Sequence, residues 1–133
     1  MDMKVIWHGM QVAIMAAGGW LGWFMGGCDG FLFALVVFTA IDYLTGVMCA
    51  IINKALSSEV GAKGIWKKVL IFALVGVGHT IDTHLIGDGS VIRTAVVFFF
   101  ISNEGVSLLE NASRIGLPVP QKMKDILSQL HNK

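Results

Sequence analysis

The sequence predicts an all-α integral membrane protein that has four transmembrane helices and a short C-terminal amphipathic helix. Hydrophobic residues make up 55% of the 133 positions and charged residues only 14%, whereas a soluble domain carries about 25% charged residues. Four apolar stretches are long enough to cross a bilayer, which takes roughly 20 residues of helix. Because the chain is short, we predict that residues 1–133 form a single domain.

The predicted spans differ in the polar groups that they carry. The first has no formally charged residue, whereas the second, third and fourth contain the acidic residues Asp42, Asp82 and Glu104. The last two also hold several other polar groups, which makes them the weaker spans by hydropathy. The four spans cover residues 5–27, 31–52, 69–86 and 91–109.

Basic residues other than Arg93 all fall on one side of this four-span topology. They occupy the N-terminus, the connector between the second and third spans, and the tail at residues 110–133, whereas the two short turns carry only acids. The positive-inside rule therefore predicts that both termini, and with them the tail, are cytoplasmic. We expect five lysines to lie at the lipid surface: Lys63, Lys67, Lys68, Lys122 and Lys124.

An amphipathic helix is predicted near the end of the cytoplasmic tail, starting at Pro120. Its apolar positions recur with helical spacing and share one face: Met123, Ile126, Leu127 and Leu130. Such a helix can lie on the inner membrane surface or pack on a partner protein. The sequence leaves both possibilities open.

Glycines form a ridge along the first span, where Gly18, Gly22 and Gly26 recur every four residues. Small residues at this spacing allow two membrane helices to approach closely. The ridge is therefore either a self-association face or a surface that packs against another helix of the same chain. Gly46, in the second span, is a further candidate for close helix packing.

Ionisable residues inside a membrane are costly and usually face protein or water. Asp42 lies near the middle of the second span, with small and polar residues on or near its face. Arg93 lies just beyond a short hairpin at a depth similar to that of Asp82, so we predict an Asp82–Arg93 ion pair. The residues that we expect to line a pore or to act as intramembrane polar groups are Asp42, Thr45, His79, Asp82, Arg93, Glu104 and Ser107.

No motif in the sequence supports catalysis or nucleic-acid binding. The chain contains no nucleophile–base constellation and no glycine-rich phosphate loop, so we predict a protein that is not an enzyme and uses no cofactor. A metal site built from His79, Asp82 and His84 is disfavoured, because His84 points away around the helix. Cys28 and Cys49 have no partner at metal-binding spacing and are interpreted as small hydrophobic residues.

Several segments between about Ile41 and Leu130 carry a specific resemblance: "IDYLTGV", "GAKGIWKKVL", the region of Asp82, "NEGVSLLENASRIGLPVP" and "KMKDILSQL". In order and spacing these segments closely resemble the toxin-secretion and phage-lysis holin family of clostridia, other Firmicutes and their phages. The positions that match the family pattern are Asp42, Thr45, Gly46, Gly64, Lys68, Asp82, Arg93, Glu104, Ser107, Glu110, Asn111, Gly116, Pro118 and Pro120.

The resemblance implies a function that the residue pattern alone does not. Holins accumulate in the cytoplasmic membrane of the bacterial host, oligomerise and open lesions. A cell-wall hydrolase, the endolysin, then escapes and the membrane potential collapses. Some similar proteins export toxins. The implied partners are membrane lipid, further copies of the chain and an antiholin, with endolysin or toxin as the released cargo. The alternatives are a small ion or proton channel and an antiholin-like membrane regulator.

Overall fold

The structure is a computed structural model that describes residues 2–131, and the side chains of residues 127, 128, 130 and 131 are not described. The side chains of the predicted apolar positions Leu127 and Leu130 are therefore not described, and Lys133 of the tail lies outside the described residues. Helices are the sole regular elements within residues 2–131, which confirms the predicted all-α class. They are α1 (Met3–Phe24), α2 (Gly30–Ile52), α3 (Ser58–Thr80), a π-helical turn that continues α3 (Ile81–Ile86), α4 (Val91–Ile115) and α5 (Gln121–His131).

Three of the described helices are long and apolar enough to cross a membrane: Gly30–Ile52, Ser58–Ile86 and Val91–Ile115. Helix α1 is 22 residues long but is not among them. His8, Gln11 and its glycines lower the mean hydropathy of α1, so the first predicted span, residues 5–27, is not confirmed. The third and fourth predicted spans are longer than expected, because lysine, glutamate and arginine are good helix formers and extend both helices.

Local signals set the helix ends. The Asp29 side chain accepts a hydrogen bond from the Leu32 N–H at 2.9 Å and so caps α2. Ser57 does the same for α3 by accepting from the Val60 N–H at 3.1 Å. Gly116 ends α4 with a φ of 113°, a backbone conformation that residues with a side chain rarely adopt. Pro118 follows and cannot continue the helix.

Helices α2, α3 and α4 form a bundle in which α4 packs against both of the others. Its dry core consists of Leu32, Leu35, Ile71, Val75 and Val97. These residues lie toward the turn end of the bundle, defined here as the end that carries the turns at residues 25–29 and 87–90. The opposite end carries the lysine-rich connector and the tail and is called the lysine end.

Two glycines of α3 allow close contacts at the turn end. A Cβ atom at Gly78 would lie 3.1 Å from the Cα of Arg93, so α4 approaches α3 backbone to backbone there. A Cβ atom at Gly76 would overlap the aromatic ring of Phe24 at the end of α1. Close approach of this kind is the use that membrane helices commonly make of glycine.

Helix α1 contacts the rest of the bundle only through its last turn and the residues that follow, and none of its residues is buried. A Cβ atom at Gly18 or Gly22 would meet nothing within 4 Å. Packing of these two glycines against the same chain is therefore not seen. Gly26 differs, because it lies in the turn that follows α1, has a φ of +89° and packs against His79 and Arg93.

The contact between Phe24 and Gly76 gives a first prediction. Gly76→Ala should leave the monomer in detergent micelles about 1–3 kcal/mol less stable than Gly22→Ala, because the added methyl group displaces the Phe24 ring. Both changes carry the same gain in helix propensity, and Gly22 faces open space. Unfolding by sodium dodecyl sulfate, followed by tryptophan fluorescence, measures the difference. Equal stabilities would contradict the described packing of α1.

Candidate functional site

Three charged side chains, one from each helix of the bundle, meet near the middle of the helices. The Lys68 Nζ of α3 forms ion pairs with Oδ2 of Asp42 on α2 and with Oε2 of Glu104 on α4. Asp42 is 7% exposed and Glu104 is 6% exposed. We call these three residues the charged triad. One ammonium group thus bridges two carboxylates and connects all three helices.

Asn111 completes the site on the side of α4. Its Nδ2 donates to Oδ1 of Asp42 at 3.1 Å and to Oγ1 of Thr45 at 3.1 Å. The Cys49 thiol in turn donates to the Asn111 carbonyl at 3.3 Å. Both oxygens of the Asp42 carboxylate are therefore satisfied, one by Lys68 and the other by Asn111, as a buried carboxylate requires.

Helical spacing explains how the polar stripes come together. Asp42, Thr45 and Cys49 share one face of α2, because residues three, four and seven apart lie above one another on a helix. Glu104 and Asn111 share a face of α4 for the same reason. The stripes were visible in the sequence, but their direct contact depends on how the two helices are rotated.

Lys68 corrects the sequence interpretation. It was expected at the lipid surface, whereas its ammonium group lies between Asp42 and Glu104. The reason is that α3 starts at Ser58, so Lys68 is well inside the helix rather than at the end of a connector. The signal that could have identified it is electrostatic: two buried acids need a cation, and Lys68 directly precedes the apolar run of α3.

A cavity of 580 Å³ lies between α2, α3 and α4, with the charged triad in its wall. It extends from Leu74 and Phe100, just beyond the triad, toward the lysine end, where Leu56, Val60 and Gly61 form part of its lining. The Tyr43 hydroxyl donates to the Gly61 carbonyl at 3.3 Å and connects α2 to α3 across it. The polar side chains of the lining are Asp42, Tyr43, Lys67, Lys68, Asn103, Glu104, Ser107, Glu110 and Asn111.

A second polar cluster fixes the turn end. Arg93, which is 4% exposed, donates from Nε to the Met25 carbonyl at 2.6 Å and from Nη2 to the Gly27 carbonyl at 2.9 Å. Its Nη1 donates to Oδ2 of Asp29 at 2.8 Å. The guanidinium group therefore binds the end of α1 and the start of α2 together, and its planar fork suits such multiple contacts.

Asp82 does not form the predicted side-chain pair with Arg93. Its two carboxylate oxygens accept from the backbone N–H groups of Ile92 at 3.0 Å and Arg93 at 2.9 Å. The first N–H groups of a helix have no partner within it and attract negative charge, and the Ser90 side chain does not cap α4. Asp82, carried by the π-helical turn and fully buried, supplies that cap instead.

Asp29 is the partner of Arg93 that the sequence analysis missed. Its position directly before an apolar helix predicts an N-cap, but nothing local indicates an arginine 64 residues further along. The hydrogen bond from Arg93 lowers the pKa of Asp29 below its usual range. The ion pair is therefore fully formed at neutral pH, and its contribution to stability is lost as the pH falls through that lowered pKa.

The remaining predicted residues are placed as follows. Ser107 lines the cavity, and a Cβ atom at Gly46 would lie 3.7 Å from Nδ2 of Asn111, so this glycine faces α4. His79 lies at the turn end beside Gly26. Among residues 2–131, no group of three or more His, Cys, Asp or Glu side chains is arranged to hold a metal ion. The remaining predicted lysines are exposed: Lys63, Lys67, Lys122 and Lys124.

The charged triad gives a second prediction. Lys68→Met should lower the free energy of unfolding by about 3–5 kcal/mol, because it leaves two buried carboxylates without a counter-charge. Lys67→Met is the matched control, since the neighbouring Lys67 is exposed, and should change stability by less than about 0.5 kcal/mol. Detergent unfolding curves of the two variants make the comparison. Similar losses in both would contradict a structural role of the triad.

The turn-end cluster gives a third prediction. Arg93→Lys keeps the charge but loses the planar fork, so we expect a loss of about 1.5–3 kcal/mol of unfolding free energy. Arg114→Lys, at an exposed position of α4, serves as the control and should be nearly neutral. If Arg93→Lys were as stable as its control, the contacts of Arg93 with the backbone would not hold α1 and α2 together.

Comparison with known proteins agrees with these features. The model of the bacteriophage holin family matches residues 19–132. An uncharacterized 14.9 kDa protein in the nagH 3' region of Clostridium perfringens is 39% identical over 98% of this chain and 99% of its own length. The uncharacterized protein Lin0175 of Listeria innocua is 36% identical over 89% of this chain and 84% of its own length. The uncharacterized protein YtkC of Bacillus subtilis is 35% identical over 93% of this chain and 89% of its own length.

No solved structure matches the chain significantly. The family match covers all three helices that are apolar enough to span a membrane, as well as the charged triad and the turn-end cluster. It confirms the family that the motifs from Ile41 to Leu130 indicated. The chain belongs to the bacteriophage holin family and is a holin-type, non-enzymatic membrane protein.

Proposed function

We propose that this protein is a phage holin that oligomerises in the cytoplasmic membrane of the host, opens large lesions and collapses the membrane potential. The lesions release an endolysin or a toxin. The observation that carries the proposal, beyond family membership, is the charged triad of Asp42, Lys68 and Glu104 in the middle of an apolar bundle. A holin must be harmless while it accumulates. The charges of such a triad can be stabilised in two ways, by one another in a closed bundle or by water.

The triad supports two states because its charges can be satisfied in two ways. In the closed bundle the three residues satisfy one another. In a lesion they would instead be hydrated, because the helices that carry them would border water. A charged residue at the bilayer centre costs roughly 3 kcal/mol on insertion scales, so either environment is far better than lipid. Association of subunits can then select the hydrated state.

Self-association through α1 is the second part of the proposal. Gly18 and Gly22 meet no other residue of their own chain, so the ridge that they form is available to another copy. Helix α1 is 22 residues long and has no buried residue. We infer that it is a fourth membrane span that packs between subunits, and that both termini are therefore at the lysine end.

The lysine end is assigned to the cytoplasm on charge. Lys63 and Lys67 on α3 are exposed, as are Lys122 and Lys124 on α5. A cytoplasmic leaflet rich in anionic lipid attracts such residues by about 1 kcal/mol each. Met123 and Ile126 of α5 are exposed together on its apolar face. These features support an α5 that lies on the inner membrane surface.

A small ion or proton channel is the second candidate. It is favoured by the cavity, whose wall carries the carboxylates of Asp42, Glu104 and Glu110. A channel would depolarise the membrane without passage of a folded protein. The holin proposal is preferred because the sequence belongs to the holin family, and because the buried apolar residues Leu35, Val75 and Val97 close the turn-end half of the bundle.

Lysis timing gives a fourth prediction. Expression with an endolysin in a bacterial host should produce abrupt lysis, and Asp42→Asn should delay it at equal membrane levels. The substitution leaves Lys68 and Glu104 as a neutral pair, which gains less from hydration than the charged triad. Asp88→Asn, in an exposed turn, is the control and should lyse at the wild-type time. Culture turbidity and release of endolysin activity are measured together.

The other possible results of this experiment distinguish a holin from an ion channel and from an antiholin-like regulator. Unchanged timing for Asp42→Asn would remove the triad from the mechanism. Depolarisation without endolysin release would favour the ion channel. Expression that neither kills cells nor releases endolysin would favour an antiholin-like regulator, which could be confirmed by delayed lysis when it is co-expressed with an active holin.

A further inference from the structure

The cavity between α2, α3 and α4 lies mostly in the half of the bundle nearer to the lysine end. Its lining includes Gly46 and Ala50 of α2, the connector residue Leu56, and Val60 at the start of α3. All of these lie between the charged triad and the lysine end. The lining also includes Ile71, Leu74 and Phe100, which lie one to two helical turns beyond the triad toward the turn end. The cavity is therefore a vestibule that begins at the lysine end and finishes just beyond the triad.

The chemistry of its wall favours water as the occupant. Ionisable groups in the lining are the carboxylates of Asp42, Glu104 and Glu110 and the ammonium groups of Lys67 and Lys68. The triad is paired within itself, but lipid tails would offer no hydrogen-bond partner to the carboxylate of Glu110 or to the ammonium group of Lys67, which is costly. The volume of 580 Å³ can hold on the order of 20 water molecules at about 30 Å³ each.

The other half of the bundle is dry. Between the triad and the turn end lie Leu35, Val75 and Val97, each 0% exposed. Beyond them the polar groups of Arg93 and Asp82 are fully engaged with backbone and with Asp29. Close-packed apolar side chains leave few voids as large as a water molecule. The barrier to water therefore occupies only the turn-end half.

We propose that each closed subunit contains a hydrated vestibule that opens to the cytoplasm, admits small hydrophilic cations as far as the charged triad, and is sealed from the outside by Leu35, Val75 and Val97. Selectivity for cations follows from the wall, where three carboxylates face two ammonium groups. The cytoplasmic opening rests on the orientation given under the proposed function. The vestibule itself rests on the geometry of one subunit and requires neither oligomers nor lesions.

The vestibule reduces the length of apolar core that must open when a lesion forms. Water does not have to enter a fully dry helix bundle, since half of the path to the outside is already wet. Opening then requires separation of the helices at the apolar seal only. The triad carries the charged groups of the vestibule wall that lie nearest to the seal, so it is the first charged cluster to become more hydrated when the seal loosens.

Cysteine accessibility tests this inference in membrane vesicles prepared from cells that have not lysed. The background is the full chain with Cys28→Ser and Cys49→Ala, because both native thiols are free. Three single variants are added: Ser107→Cys in the vestibule wall, Val97→Cys in the seal, and Leu44→Cys on the lipid-facing side of α2, where Leu44 is 60% exposed. The probes are a cationic and an anionic methanethiosulfonate, neither of which crosses membranes, applied to inverted and to right-side-out vesicles.

The expected result is rapid modification of Ser107→Cys from the cytoplasmic face, at least about tenfold faster than either Val97→Cys or Leu44→Cys. The cationic reagent should react about tenfold faster than the anionic one at this site, after correction for their rates with a free thiol. Leu44→Cys separates entry into the vestibule from simple exposure at the helix surface. Val75→Cys replaces Val97→Cys if the latter unfolds in detergent.

Equal rates for Ser107→Cys and Leu44→Cys would overturn the vestibule, because lipid would then fill the cavity. Modification of Val97→Cys as fast as Ser107→Cys would overturn the seal. Labelling of Ser107→Cys from the outer face alone would overturn the cytoplasmic opening. None of these results depends on lysis, so a protein that fails to release endolysin can still show the vestibule, and a lytic protein can still lack it.

Discussion

The ion pairs of Lys68 with Asp42 and Glu104 are the constraint on which the rest of the bundle depends. Apolar surfaces give membrane helices little preference for one another, because lipid tails are as apolar as the side chains. A buried charge does discriminate, since it needs a partner at one depth and one rotation. Once Lys68 lies between the two carboxylates, the relative rotation of α2, α3 and α4 is set, and the apolar core can close on one side of the triad.

The turn-end cluster and the charged triad are both buried, but the first fixes the fold and the second can change its environment. At the turn end, Arg93 is bound by two carbonyls and by Asp29, and Asp82 is bound by two backbone N–H groups. These contacts use the helix ends themselves, so they fix the fold. The triad instead has one more carboxylate than ammonium groups and borders a cavity. It is therefore the cluster whose environment can change when water enters.

Helix α1 leaves most of its surface without contacts to the rest of the chain. Its last turn is held by Phe24 against Gly76 and by the contacts of Arg93, while the rest of the helix is exposed. A single subunit thus separates two tasks among its helices. The α2–α4 bundle contains the buried ion pairs, whereas Gly18 and Gly22 of α1 face no neighbour in their own chain.

The sequence by itself determined the all-helical class, the span of α2, the start of α5 and the family, because hydropathy, caps and motif order are local properties. It also showed the polar stripes that contain Asp42 and Glu104. Only the tertiary structure decided that Lys68 joins those acids, and that Arg93 pairs with Asp29 while Asp82 caps α4. Such pairings join side chains from different helices, so they depend on helix rotation and relative depth. Neither quantity is encoded in the pattern of any one helix.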